Sequence, residues 1–345
     1  LKRPLGVVAA IVPWNFPTTL LANKLGPALI TGNTVVAKPA ETTPLTTLKI
    51  AALFHEAGLP PGVFNVVTGL GPVAGEALVR HPLVRKVAFT GSTAVGKRIM
   101  ALAAETLKRV TLELGGSDPM IVCDDADLDQ AAKAAAVGRF FNCGQACLAV
   151  KRLYVFENVY EAFMERFLPR VQRLRLGPGL DEGTQMGPLH TEKQRRLIEE
   201  QLRDALESGG KLLVGGKRPE AEALRRGYFF EPTVVLEPSL DSRVAQEEVF
   251  GPLLPIWRVK SIEEAVELAN RSPYGLGSTV FTRSLERASY ALEKLETGYT
   301  WINSVNRIYD ELPFGGVKQS GYGKEHGMEA LEYYQETKAG VVRWR

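Results

Sequence analysis

Apolar residues in this chain fall into short, almost unbroken runs, each followed by a turn and then by a segment of helical periodicity. Residues 6–12 (GVVAAIV), 34–38, 63–67 and 86–89 are such runs. They are too short for buried helices, so they predict strands covered on both faces. Pro13-Trp14-Asn15-Phe16-Pro17 breaks the first run before a helix reaching about residue 30, and a second helix is predicted over 44–57. The alternation predicts a parallel, doubly wound sheet with right-handed crossovers and a ligand crevice at the carboxyl ends of its strands.

The same rhythm resumes further on. A β-branched segment ends at Glu113, Gly115 and Gly116 permit a tight turn, and Asp127 offers an N-cap to an Ala-rich helix reaching about residue 141. Strands are predicted over 151–156, 253–259, 278–282 and one closing at Trp301-Ile302-Asn303, with helices over 159–174, 191–208, 262–270 and 285–295. The fold class expected is therefore α/β, with two doubly wound parallel-sheet domains. A length of 345 residues suits about two domains, each with its own core.

Composition excludes more than it assigns. An apolar share of 45% and a charged share of 23% are those of an ordinary globular protein. A net charge of only +3, without any dense Lys/Arg block, argues against nucleic acid or a membrane surface as partner. Three cysteines make no disulfide framework and suit a reducing cytoplasm. Cys143 and Cys147 lie four apart with no matching Cys/His cluster, so no metal is expected. No signal peptide is expected, and no apolar run of about 18 residues occurs.

Candidate chemistry concentrates at a few turns. Cys147 follows a helix and a small-residue turn, where a thiolate nucleophile can face a cleft, although a lone Cys more commonly serves as a small core residue. Asn15, fixed between prolines at a strand end, can donate to an oxyanion or cap the helix that follows. Thr68 to Ala74 contains a formal G-x-G-x-x-A after a strand. Thr90 to Arg98 nearly spells a P-loop, but Arg98 stands where Mg²⁺ needs Ser or Thr, which disfavours a nucleotide triphosphatase.

Glu113-Leu114-Gly115-Gly116 together with Phe141-Asn142-Cys143-Gly144-Gln145-Ala146-Cys147 resembles the signature pair of the NAD(P)-dependent aldehyde dehydrogenase superfamily. PWNFP at 13–17, FTGS at 89–92, EEVFGP at 247–252 and PFGGVKQSG at 313–321 are similar to further motifs of that family. The resemblance implies Cys147 as nucleophile, Glu113 as general base and Asn15 in the oxyanion hole. It places Lys38 and Glu41 at the adenosine ribose, Gly71, Ser92 and Leu114 beside the cofactor, Glu248 on the nicotinamide ribose and Phe250 near the nicotinamide. A carboxylate at Glu41 favours NAD, with NADP as the alternative. Leu20, Asn23, Phe141, Ala146, Leu148, Arg307 and Phe314 are expected to line a mostly apolar substrate tunnel.

The implied reaction converts an aldehyde to a carboxylic acid through a cysteine thiohemiacetal and a thioester hydrolysed by Glu-activated water. The alternatives are a CoA-acylating dehydrogenase and a non-catalytic binding or structural relative. The domains expected are a Rossmann-like cofactor domain over 1–115, a catalytic domain over 116–325, and a helix with an oligomerisation strand over 326–345, the strand at 337–344. Full-length members carry a substantial segment ahead of the first strand, so the chain is expected to be N-terminally short of them. The expected partner is a small-molecule aldehyde, with assembly as a homodimer or homotetramer if that segment is not essential.

Overall fold

The computed structural model describes residues 1–345. The chain forms two compact units, one built from residues 1–115 with 308–345 and the other from 116–307.

The first unit opens with β1 (Lys2–Pro4), β2 (Val7–Ile11), α1 (Pro17–Ile30), β3 (Thr34–Lys38), α2 (Pro44–Glu56) and β4 (Phe64–Val66). A π-helical turn, Gly71–Gly75, leads into α3 (Glu76–Arg80), followed by β5 (Val84–Thr90), α4 (Thr93–Ala104) and β6 (Arg109–Glu113). Parallel pairing gives the order β6-β5-β2-β3-β4. Val8, Ala10, Val35 and Ala37 pack with Leu21, Leu25 and Ala28 of α1, while Ala9, Val87 and Phe89 pack with Val79 of α3 and Ile99 of α4. Helices on both faces explain why the strand sequences are continuously apolar rather than alternating.

The second unit contains β7 (Asp118–Val122), α5 (Leu128–Phe140), β8 (Val150–Phe156), α6 (Tyr160–Gln172), α7 (Glu192–Glu207), β9 (Lys211–Val214) and β10 (Thr233–Leu236). There follow α8 (Arg243–Gln246), β11 (Leu253–Val259), α9 (Ile262–Asn270), β12 (Tyr274–Gly275), β13 (Gly277–Phe281), α10 (Leu285–Lys294) and β14 (Tyr299–Ile302). Its seven-stranded sheet has the order β14-β13-β7-β8-β11-β10-β9, parallel except at β9. Asp127 does cap α5, accepting a hydrogen bond from the Gln130 N–H at 3.1 Å.

The chain then returns through β15 (Val317–Lys318), β16 (Gly321–Tyr322), α11 (Gly327–Glu332) and β17 (Gln335–Thr337). β16 pairs antiparallel with the β6 edge, Gly321 opposite Glu113, so residues 308–325 belong to the first unit rather than to the catalytic one. The break thus falls after Arg307 and not after residue 325. β17 pairs antiparallel with β1, Lys2 opposite Thr337, within the same chain. The strand expected over 337–344 is confined to residues 335–337, where β1 supplies a hydrogen-bonding edge; residues 338–345 are exposed and carry no strand.

Candidate active site

In the first unit the candidate groups sit where the parallel strands end. Asn15 follows β2 and is half-buried. Phe16, not Asn15, takes the N-cap position of α1, and no side chain caps that helix. Glu113 closes β6 and is only 3% exposed, and neither of its carboxylate oxygens makes a hydrogen bond. Burial, reinforced by the nearby Glu325 carboxylate, raises its pKa well above the usual carboxylate range. The Lys24 and Lys324 charges pull the other way but do not outweigh that loss of solvation. Gly315 is required beside it, because a Cβ there would lie 2.8 Å from Glu113 Oε1.

Two of these neighbours escaped the sequence reading. Lys24 is fully buried in α1 and donates from Nζ to Thr90 Oγ1 and to Glu325 Oε1, both at 2.6 Å. Glu325 also accepts from Asn23 Nδ2 at 3.3 Å, so this amide, expected in the tunnel wall, holds a buried carboxylate. The signal was present: a lysine inside the apolar helix LLANKLGPALI must find a buried counter-charge. Leu20 is half-buried on the same helix, and Phe314 is buried with its main chain paired to Glu325.

The same unit carries a surface that could take a cofactor. A cavity of about 240 Å³ between α3 and α4 is lined mainly by apolar residues, among them Ile11, Pro72, Val79, Phe89 and Ile99, together with Gly71 and the charged Glu76 and Arg98. Flat apolar walls of this kind suit an adenine ring. Ser92 caps α4, accepting from the Val95 N–H at 3.4 Å, and leaves this helix N-terminus available to phosphate. Leu114 packs directly over Gly96, where any side chain would collide with it. Buried Lys38 at the end of β3 lies 3.7 Å from the exposed Glu41 carboxylate. Except for Gly71, no motif in the sequence marks these lining residues.

The second unit carries the thiols. Cys123 and Cys143 are buried, whereas Cys147 is partly exposed in the turn between α5 and β8. Burial pushes the Cys143 thiol up to about 12, against the opposing Arg139 guanidinium, and Cys123 likewise up to about 12. Phe141 is exposed, Ala146 buried and Leu148 half-buried around the same turn, while Arg307 is exposed. Glu248 accepts from the Gly116 N–H at 3.1 Å and from Lys151 Nζ at 2.6 Å, and Lys151 Nζ lies 5.6 Å from the Phe250 ring centre.

Comparison with known proteins identifies the family. The Aldehyde dehydrogenase family model matches residues 1–339. Phenylacetaldehyde dehydrogenase of Pseudomonas fluorescens is 46% identical over 344 residues, covering 99% of this chain and 68% of that protein. Retinaldehyde dehydrogenase 3 of Homo sapiens is 47% identical over 342 residues, covering 99% of this chain and 66% of that protein. The crystal structure of betaine aldehyde dehydrogenase from Staphylococcus aureus in complex with NAD+ matches with a TM-score of 0.95 at 40% identity, covering 100% of this chain and 70% of that one. The chain thus spans about two thirds of the length of the relatives it matches. No helix is long and apolar enough to cross a membrane, and no group of His, Cys, Asp and Glu is placed to hold a metal. The strand order, the buried carboxyl at the end of β6, the accessible cysteine before β8 and these matches together make the chain a member of the aldehyde dehydrogenase family of NAD(P)-dependent oxidoreductases.

Proposed function

We propose that the chain oxidises an aldehyde to a carboxylic acid with Cys147 as nucleophile, Asn15 as oxyanion donor and Glu113 as the base that activates water. The observation that carries this reading is that Cys147 is the accessible thiol, the other two being buried and held protonated. The Cys147 thiolate adds to the aldehyde carbon, forming a C–S bond and an oxyanion that the Asn15 amide stabilises. The nicotinamide, when bound, accepts the hydride that leaves this carbon. Collapse of the oxyanion gives a thioester on Cys147. Glu113 takes a proton from water, the resulting hydroxide attacks the thioester carbonyl, and the thiolate departs.

A water-activating carboxyl at residue 113 favours hydrolysis over transfer to CoA. Incubation with aldehyde and NAD is expected to yield carboxylic acid and NADH in equal amounts. An acyl-CoA product formed only when CoA is added would overturn the hydrolytic step, and failure to bind NAD by calorimetry would favour a non-catalytic role.

We infer that NAD is preferred to NADP. Support comes from the exposed Glu41 carboxylate beside Lys38, which would accept from a ribose 2′-hydroxyl and repel a 2′-phosphate. Glu41→Ala is expected to shift the ratio of kcat/KM values toward NADP by about tenfold, roughly 1.4 kcal/mol. An unchanged ratio would remove Glu41 from cofactor selection.

A further inference from the structure

The turn that carries the nucleophile is held in an unfavourable backbone conformation. Asn142 (φ 49°), Cys143 (φ 57°) and Gly144 (φ 71°) are three consecutive left-handed residues. A residue with a Cβ adopts this geometry at a cost, because the Cβ crowds the following carbonyl oxygen, so the surroundings must hold it. Gly144 has no alternative there: a Cβ would strike the Gly251 carbonyl and the Arg139 guanidinium.

Two fully buried cations do the holding. Arg139, near the end of α5, donates to the carbonyls of Gly144 at 2.9 Å, Val249 at 3.1 Å, Val150 at 3.1 Å and Gly251. All its hydrogen bonds go to main-chain carbonyls, and burial pulls the guanidinium down to about 9. Lys151, at the start of β8, donates to the Cys147 carbonyl at 2.7 Å and to Glu248 Oε1 at 2.6 Å. One end of the turn, Gly144, is therefore fixed to the Val249–Gly251 backbone. The other end, Cys147 itself, is fixed through an ammonium to the neighbouring carboxylate.

The other charged groups here are accounted for. Asp118 at the start of β7 is buried, and burial lifts its carboxyl to about 7 against Lys151, with Glu248 adding to the rise and Arg152 opposing it. Cys143 faces Arg139 on the helix side. Gly116 brings the groups close: a Cβ there would lie 2.8 Å from Asp118 Oδ1 and 2.9 Å from the Cys147 carbonyl.

We propose that Lys151 is a positioning residue that seats Cys147 by tying its carbonyl to Glu248, with Arg139 anchoring the far end of the turn, so that whatever occupies Glu248 alters the reactivity of the thiol. The proposal rests on Cys147 being the nucleophile and on Glu248 meeting the cofactor ribose. The tie runs both ways: a ligand hydroxyl on Glu248 changes how firmly Lys151 holds Cys147, and a change at Cys147 alters how firmly Lys151 holds Glu248.

Alkylation of Cys147 by iodoacetamide, read by peptide mass with and without NAD across a pH series, tests this without turnover. In Lys151→Met the rate at pH 7 is expected to fall about tenfold, the loss of one hydrogen bond to a charged group. The pH profile should move to higher pH, and NAD should cease to alter the rate. Lys151→Arg keeps the charge and should restore most of the wild-type rate. If Lys151→Met does not fold, Lys151→Met combined with Glu248→Gln removes both charges at nearly constant volume, and its cofactor-free alkylation rate gives the same reading. Wild-type rates and pH profile in a folded Lys151→Met or in the double variant would overturn the proposal. Labelling of Cys143 in place of Cys147 would instead refute the parent reading, and this proposal with it.

Discussion

Cys147→Ala is expected to reduce aldehyde-dependent NADH formation by about 10⁴- to 10⁶-fold, the scale seen when an enzyme loses its only nucleophile. Cys143→Ala is expected to retain activity within about tenfold, since it removes a small buried side chain at a cost of roughly 1 kcal/mol of stability. The contrast follows from placement, because the two thiols sit in one short turn four residues apart. Cys143 is buried and its thiol is pushed up to about 12, so at neutral pH it holds its proton and cannot attack. Cys123, just after β7, is buried in the same way. Cys147 is partly exposed and has its carbonyl gripped by Lys151. Initial-rate measurements on both variants, with a melting curve for each, decide the matter. Wild-type rates from Cys147→Ala would remove the covalent mechanism, and loss of activity in Cys143→Ala at unchanged melting temperature would reassign the nucleophile.

The sequence made most of the parallel strands legible because their burial on two faces writes a continuous apolar run, but β7 and β10, equally buried, did not stand out from it. The end of β6 at Glu113 and the strand from Leu253 to Val259 were readable because of such runs, and Asp127 was readable as a capping residue ahead of an Ala-rich helix. What it concealed depended on distant pairing. Nothing local in Gly321-Tyr322 announces that these residues hydrogen-bond to the β6 edge, so residues 308–325 read as part of the second unit although they belong to the first. β9, exposed at the sheet edge as Lys211–Val214, lacks the apolar run that marks the central strands. Motif resemblance supplied Glu113 and Cys147, but the ion pair of Lys24 with Glu325 joins residues 301 apart and becomes visible only in three dimensions. The clamp on the Cys147 turn was hidden likewise, since Arg139 and Lys151 act on carbonyls, which carry no sequence signature.

Glu113→Gln is expected to lower steady-state turnover by about 10²- to 10⁴-fold, the usual contribution of a general base. It should leave the first turnover intact, so that each enzyme releases about one equivalent of NADH and then stalls as a thioester, a burst that rapid mixing and intact mass resolve. Gln keeps the shape of Glu while removing the ability to take a proton, so the lesion falls on hydrolysis alone. The pH dependence follows from the environment of the carboxyl. Burial and the Glu325 carboxylate raise the Glu113 pKa well above the usual value, so the base is active only as pH rises through that raised pKa. Hydrolysis-limited turnover should therefore climb with pH over this window in the wild type, and the climb should vanish in Glu113→Gln. Stability runs in the opposite direction. A carboxyl with a raised folded-state pKa contributes stability that is complete below its unfolded value and is lost as pH rises through the folded one. Glu113→Gln should accordingly gain stability relative to wild type as pH increases, measurable as a growing difference in melting temperature. A variant that neither bursts nor changes its stability profile would place Glu113 outside the chemistry, as one more buried acid of the strand end.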